Sequence, residues 1–525
     1  MDRKIGFWEA YSIGVGGMIG GGIFAVLGLT LLLAKGAAPL AFLFAGLIAL
    51  LTSYSYAKLS VRYPSEGGTV EFLVQGLGNN LLSAYLNTLL LASYVIMLAL
   101  YSYAFGSYAS AMIFGHEIEL YKKLFIVFVI ALFTFLNFLG AYISGKTEDL
   151  MVFLKVAILL LFSILGFFTG DFSRLSPEHY ESLIKILTGG LIIFLAYEGF
   201  ELIANTAADI ENPEKNLPRA YYAAVLTTIF IYVLVAAVAV ANLTYEEVEK
   251  YSDYALAVAA KPFLGDFGFI LIGIAALLST SSAINATLYG GARVSYLVAK
   301  TGALPQEFSR KIWKHGTEGL LILGIVSMIF AIVYNIQNIS IAGSLGFLII
   351  FAAVNYVNFR LYKETRSNRW ISFVAFLLCL FSIVVLIGYN AQHDPQNLHS
   401  SLVVLALTFL FELFYRSFTS IRLQTHIDPR LRVREKFLRA HHIFLQPVLK
   451  ILKNIFTDLE AYEVMRTSSI ELYLVSRGDH RRIKKEFFDH LNKALKHKSE
   501  KFVHLHILSP DQKEQIPPQS SKIRL

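Results

Sequence analysis

The chain has one cysteine in 525 residues, Cys379, and it falls inside an apolar run. A single thiol excludes an intramolecular disulfide, a Cys-pair metal site and a redox pair. Charge is scarce too: Asp, Glu, Lys and Arg make up 16% of the residues, against roughly a quarter in soluble domains. That scarcity excludes a charged, water-facing shell over most of the length. Catalytic signatures are also missing. The sequence contains no nucleophile elbow, no HExxH and no P-loop lysine motif, so no enzyme, cofactor or metal site is expected. No nucleic-acid-binding motif is recognised either, and no nucleic-acid partner is expected. Basic residues precede the first apolar run, but no small-residue cleavage site follows it, so it reads as a retained helix and not as a signal peptide.

Hydrophobic residues are abundant, at 55% of the chain. Each apolar run spans roughly 20 residues, the length that crosses a bilayer core of about 30 Å. About twelve are read: 9–33, 39–61, 82–114, 121–143, 149–170, 183–207, 219–242, 267–299, 319–336, 340–361, 370–390 and 398–416. The chain reads as an all-α integral membrane protein over residues 1–416, followed by a basic region over 417–525. Basic residues orient the bundle by the positive-inside rule. Arg3, Lys4, Arg62, Lys146, Lys215, Arg219, Lys300, Arg310, Lys311, Lys314, Arg360, Lys363, Arg366 and Arg369 fall on one side. That side is read as cytoplasmic, and an even number of spans brings both termini to it. Lys122 and Lys123 run against the trend.

Two apolar runs, the first and the sixth, are interrupted by glycine. The first contains Tyr11-Ser-Ile-Gly-Val-Gly-Gly-Met-Ile-Gly-Gly-Gly-Ile-Phe24, the sixth Gly189-Gly-Leu-Ile-Ile-Phe-Leu-Ala-Tyr-Glu-Gly-Phe-Glu201. Glycine gives up helix stability and lets the backbone open, and open backbone survives in a bilayer only when buried in protein or lining a cavity. Paired breaks five spans apart are the pattern of a transporter built from two inverted five-helix repeats, with its site at the midplane. At Gly20, Gly21 and Gly22 the bared N–H groups and the dipole of the following helix suit a substrate carboxylate. Carbonyls near Met18 and Ile19 suit its ammonium group. The competing reading is close helix packing through small-xxx-small spacing at Gly16/Gly20 and Gly17/Gly21.

Three motifs carry a resemblance. Gly17-Met-Ile-Gly-Gly-Gly-Ile-Phe24 resembles the first-helix signature of the amino acid/polyamine/organocation permeases. Ala196-Tyr-Glu-Gly-Phe-Glu201 with Asp209-Ile-Glu-Asn-Pro-Glu-Lys-Asn-Leu-Pro-Arg-Ala220 resembles their sixth-helix and following-loop signature. Arg293-Val-Ser-Tyr-Leu-Val-Ala-Lys-Thr-Gly-Ala-Leu-Pro305 resembles their end-of-helix-eight signature. The resemblance covers residues 5–416 and implies a LeuT-like 5+5 inverted repeat with helices one and six broken. It also implies coupled uptake or exchange of amino acids. Carried over by position, Phe194, Leu195, Ala196 and Glu198 face the substrate, with Leu195 standing where many relatives have an aromatic gate and Phe194 or Tyr197 as substitutes. Glu198 and Glu201 are acidic groups at membrane depth, where such groups tend to be functional. Glu198 selects a cationic substrate or carries a proton; Glu201 alternatively caps the local break.

Lys155 stands alone among apolar residues of the fifth run, about 9 Å in from Asp149 at 1.5 Å per residue. Its stem snorkels to the interface, or its ammonium is buried. The resemblance favours burial: proton-coupled permeases similar to this chain carry a lysine at this point, where sodium-coupled relatives hold a cation between helices one and eight. Its expected neighbours are the carbonyls of Gly16 and Gly17 and the hydroxyls of Ser281 or Ser282, unless those hydroxyls bond their own helix.

The stretch after Arg416 carries more positive charge than the +8 of the whole chain. It reads as a basic amphipathic helix over 430–456, a strand at Ser469–Ser476, a helix at Asp479–Lys498 and a strand at Phe502–Leu508, giving a small β-α-β unit. It lies near anionic headgroups or serves as a regulatory or partner-binding module. The reading as a whole is a multi-pass protein of the cell membrane that moves amino acids with protons by alternating access. A carrier of cationic amines such as polyamines, and a nutrient receptor that binds without transport, are the alternatives.

Overall fold

Backbone polar groups in an apolar run this long must be satisfied within the chain, and coiling into helix satisfies them locally. The computed structural model is accordingly helical along most of residues 7–419. It describes residues 5–65, 67–78, 80–139, 145–300, 304–313, 316–419, 446–456, 458, 460–465, 470–476, 479–495, 503–508, 510–515 and 521–523. Several expected features lie outside these: Arg3 and Lys4, residues 140–143, Thr301 to Ala303, Lys314, residues 430–445, Ser469, residues 496–498 and Phe502, as well as the Lys146 and Lys300 side chains.

The first span is α1 (Phe7–Met18) and α2 (Gly22–Ala34), bent by 44° at the glycine break. Then follow α3 (Ala38–Arg62), a short α4 (Thr69–Leu77), α5 (Leu81–Phe114), α6 (Glu119–Phe138) and α7 (Gly145–Phe167). The sixth span opens as α8 (Leu183–Ile193) and continues from Phe194 to Asp209 as a 3₁₀ helix. After it come α9 (Pro213–Asn242), two short helices α10 (Tyr245–Tyr251) and α11 (Ala255–Ala259), and α12 (Lys261–Lys300). A short hairpin, β1 (Lys311–Trp313) and β2 (Gly316–Thr317), leads to α13 (Glu318–Val333), α14 (Ile336–Arg360), α15 (Arg369–His393) and α16 (Pro395–Thr419). Among the described residues, nine helices are long and apolar enough to cross a membrane, or ten when the bent pair counts as one span. Of the twelve runs read from the sequence, the other two hold α13, which has only 16 residues, and α6, which carries Glu119, Lys122 and Lys123 in its first turns.

The bundle is organised around the first and sixth spans, which run antiparallel. Backbone bonds from Ile5 to Asp209 and from Glu211 to Ile5 tie the start of one to the end of the other. Gly17 abuts Gly199, Gly22 abuts Ala196, and Thr30 Oγ1 donates to the carbonyl of Gly189. Numbers rise along one span as they fall along the other, so the contact runs the full depth of the bundle. It is backbone against backbone: a Cβ on Gly199 would lie 2.2 Å from the carbonyl carbon of Gly17.

Residues Thr425–Leu525 form a second compact unit. Its sheet has the order β5-β4-β3-β6, where β3 is Glu460–Met465, β4 Ile470–Val475, β5 Val503–Leu508 and β6 Ser521–Ile523. β4 and β5 are parallel and joined through the helix His480–Leu495, while β3 pairs antiparallel with both β4 and β6. Leu472 and Leu474 on one face of β4 pack with Ile483 and Phe487 of that helix and with Leu449 and Leu452 of the helix Gln446–Ile455. β3 and β6 were not read from the sequence.

Substituting Gly199 by Ala should force apart the backbones of the first and sixth spans. We expect a loss of roughly 1–3 kcal/mol or more, as for other overpacked sites, and a lower thermal midpoint of the detergent-purified protein. Gly388→Ala is the matched control, since a Cβ there meets no atom within 4 Å, and should be neutral or stabilising by up to about 1 kcal/mol.

Candidate functional site

Breaking α1 at Met18 frees carbonyls that a continuous helix would have used. Side-chain hydroxyls from three other spans take them up. Tyr232 of α9 lies 2.5 Å from the carbonyl oxygen of Met18 and 3.3 Å from that of Ala196, so one phenol reaches both spans at the break. Ser279 of α12 donates to the carbonyl of Ile19 at 2.7 Å, and Tyr101 of α5 reaches that of Gly17 at 3.5 Å. The ring of Tyr232 is held edge-on by Phe42 and Tyr197, and Tyr197 donates to the carbonyl of Phe42.

The glycines at the break also serve packing. A Cβ on Gly20 would meet Ala283 at 2.8 Å, one on Gly21 the Tyr101 ring at 2.4 Å, and one on Gly22 Ala196 at 2.4 Å. A bulky residue at Gly21 would therefore displace Tyr101 as well as any anion at the N–H groups. Gly16 and Gly17 are buried in the last turns of α1, and Met18 and Ile19 are fully buried beside them.

In the sixth span the interruption is a change of helix type. Runs of 3₁₀ helix longer than 3–4 residues are uncommon and mark hinges or strain, yet this one has 16 residues. Three residues per turn places i and i+3 above one another, so Glu198 and Glu201 lie on one face. Both are buried. The Glu198 carboxyl lies beside Tyr101. Glu201 Oε2 accepts from Thr69 Oγ1 at 2.8 Å and from the Tyr56 hydroxyl at 3.5 Å. Its described partners are thus side-chain hydroxyls, not the backbone N–H groups of a cap. Thr69 is delivered by the turn before α4, where Gly68 adopts φ +44° against Asn205. Of the carried-over residues, Ala196 meets the first span, whereas Phe194 packs on Phe351 and Leu195 on Gly343, both in α14.

Lys155 is 2% exposed on α7, a helix that packs against α1, α9 and α12. Ser282 is buried and Ser281 half-buried on α12, but the hydroxyl that bonds the first span is Ser279, one turn earlier. Sequence reasoning also missed the tyrosines of α5. Tyr94, Tyr101 and Tyr108 recur every seven residues, two turns apart and so on one face. Tyr94 accepts from Asn205, Tyr101 donates to Gly17 and Tyr108 to the carbonyl of Phe24. The heptad spacing was the available signal.

Comparison with known proteins gives a consistent picture. A family model described as amino acid permease matches residues 5–411. A protein of Methanocaldococcus jannaschii is 37% identical over 419 residues, covering 80% of this chain and 96% of that one. The inner membrane transport protein YbaT of Escherichia coli is 34% identical over 389 residues, covering 73% of this chain and 89% of its own. Among solved structures, a manganese transporter mutant of Eremococcus coleocola superposes with a TM-score of 0.54 at 13% identity, over 80% of this chain and 94% of that one; this is a likeness of fold.

Tyr232→Phe keeps the ring and removes the hydroxyl that reaches both breaks. Leaving those buried carbonyls short of a donor should cost about 1–3 kcal/mol. The expected result is a thermal midpoint lowered by several degrees in detergent, with Tyr222→Phe, whose hydroxyl makes no bond to the break, close to wild type.

Proposed function

The chain belongs to the amino acid permease family, and from that premise we propose that it is a secondary active transporter that moves amino acids by alternating access, coupled to protons. The observation that carries the reading is the antiparallel contact of the two interrupted spans, with the carbonyls of Met18 and Ala196, one on each, within reach of a single phenol. Backbone N–H groups at Gly20, Gly21 and Gly22 receive the substrate carboxylate, helped by the dipole of α2. Carbonyls of Met18, Ile19 and Ala196 receive its ammonium group as Tyr232 and Ser279 give them up. Phe194 and Leu195 shape the far wall from their seats on α14.

Lys155 supplies the coupling in this reading. Its burial on a helix that touches both α1 and α12 suits an ammonium that ties these two together through Gly16, Gly17 and the Ser281–Ser282 region. Loss of its proton releases the tie and lets the bundle change its open side, so proton binding biases a two-state equilibrium. The protein sits in the cell membrane with both termini cytoplasmic, and its basic C-terminal region faces anionic lipid or a protein partner there.

A second reading within transport is favoured by one observation. Glu198 and Glu201 put two buried carboxyl groups on one face of the 3₁₀ helix, which suits cationic amines, polyamines among them.

Uptake into proteoliposomes decides between these. Transport should proceed without sodium and depend on pH, and Lys155→Ala should lose concentrative uptake while retaining binding. A strict sodium requirement, or normal pH-dependent accumulation by Lys155→Ala, overturns the coupling role. Binding with no flux under any gradient indicates a receptor. Glu198→Gln should weaken cationic relative to neutral substrates by about tenfold, or 1.4 kcal/mol, if Glu198 reads substrate charge; with protonation as its role, the pH profile shifts instead.

A further inference from the structure

Lys122 breaks the charge rule that orients the rest of the chain, and the structure shows what holds it. Its side chain is 5% exposed, at the end of the bundle away from the N-terminus. Nζ lies 2.7 Å from Glu117, 2.7 Å from Glu119 and 3.0 Å from the Tyr103 hydroxyl. Tyr103, on α5, passes the connection on: its hydroxyl donates to Asp253 Oδ2 at 3.0 Å, and Ser252 donates to the other carboxylate oxygen. Lys123, by contrast, pairs among the described residues with Glu119 alone, at the surface.

Ser252 and Asp253 sit between α10 and α11, in the connection from the seventh span to the eighth. That connection presses on the second half of the broken span. A Cβ on Gly28 would lie 2.2 Å from the carbonyl oxygen of Ser252, so α2 and the loop meet with no room for a side chain. The chain of contacts thus runs from a buried ammonium through one phenol to a loop seated on α2. Three carboxylates, Glu117, Glu119 and Asp253, surround this one buried ammonium. Their mutual repulsion favours release of the loop, and the hydrogen bonds through Tyr103 oppose it.

We propose that Lys122, Tyr103 and Asp253 form a latch that holds the residue 245–259 connection on α2, so that breaking the latch opens that half of the first span to the membrane face opposite the N-terminus. These are positioning residues, acting through the loop and not on substrate. The consequence for transport rests on the alternating-access reading; the conformational change does not.

The test uses the full-length protein in liposomes. Cys379→Ser removes the one native thiol, and Leu31→Cys places a reporter in the second half of the first span, where the native side chain is 2% exposed. The rate of alkylation by a membrane-impermeant maleimide added at that face is then measured. Tyr103→Phe, which deletes the connecting hydroxyl and keeps the ring, should raise the rate about fivefold or more, the scale on which one lost hydrogen bond moves an opening equilibrium. Asp253→Ala should do the same, and the double variant should add little, because both cut one connection. Lys122→Arg should keep the slow rate, and Lys123→Met should leave it unchanged. Unchanged labelling in both Tyr103→Phe and Asp253→Ala, or an equal rise in Lys123→Met, overturns the latch. Faster labelling in a chain that carries no amino acid keeps the latch and overturns the transport reading; intact uptake with unchanged labelling does the reverse.

Discussion

A carbonyl freed inside a bilayer has no water to turn to, and the organisation of this molecule follows from that constraint. Opening α1 at Met18 exposes backbone groups whose partners must come from neighbouring spans. They come as hydroxyls: Tyr232 from α9, Ser279 from α12, Tyr101 from α5. Each donor belongs to a different helix, so the break can exist only inside the assembled bundle. The break and the tertiary fold are in this sense the same set of interactions. Remove the surrounding helices and the first span has reason to close into an ordinary helix.

The antiparallel contact of the first and sixth spans depends on glycine for a steric reason. At Gly17/Gly199 and Gly22/Ala196 the two chains approach until a Cβ would overlap backbone or the facing side chain. Such proximity shows in sequence as glycine clusters, which is why both interruptions were legible there, whereas the residue each glycine meets on the other span was not. What glycine content does not reveal is how a break is resolved. In the first span it is a 44° bend; in the sixth it is a 16-residue 3₁₀ segment. Local propensity does not separate the two answers.

Hydroxyl partners were less legible, for a similar reason. Ser279, Ser281 and Ser282 lie within four residues, and each step along a helix turns the side chain by about 100°. Only the packing of α12 on α1 selects Ser279. Tyr101 and Tyr232 were not singled out in the sequence, because an aromatic in an apolar run is ordinarily core and their rings do pack so; the target of each phenol is set by a helix far away in the chain. Lys155 and Glu198 stood out because charge in an apolar run is rare and needs an explanation. Lys122 stood out as an exception to the charge bias, and its carboxylate partners at Glu117 and Glu119 were adjacent in sequence but spoke only once the loop with Asp253 was seen beside them.

Tyr232 has one hydrogen to give and two carbonyls within reach, one on each interrupted span. It cannot fully satisfy both. If the sixth span shifts against the first, the bond weakened on one side is regained on the other, so the polar cost of a small slide largely cancels. A bridge with two good donors would have fixed the spans in one register, and none would have left each carbonyl to resist movement in proportion to its own unmet need. A shared single hydrogen does neither: the phenol gives its one bond to whichever carbonyl is nearer, over the distance a hydroxyl can swing.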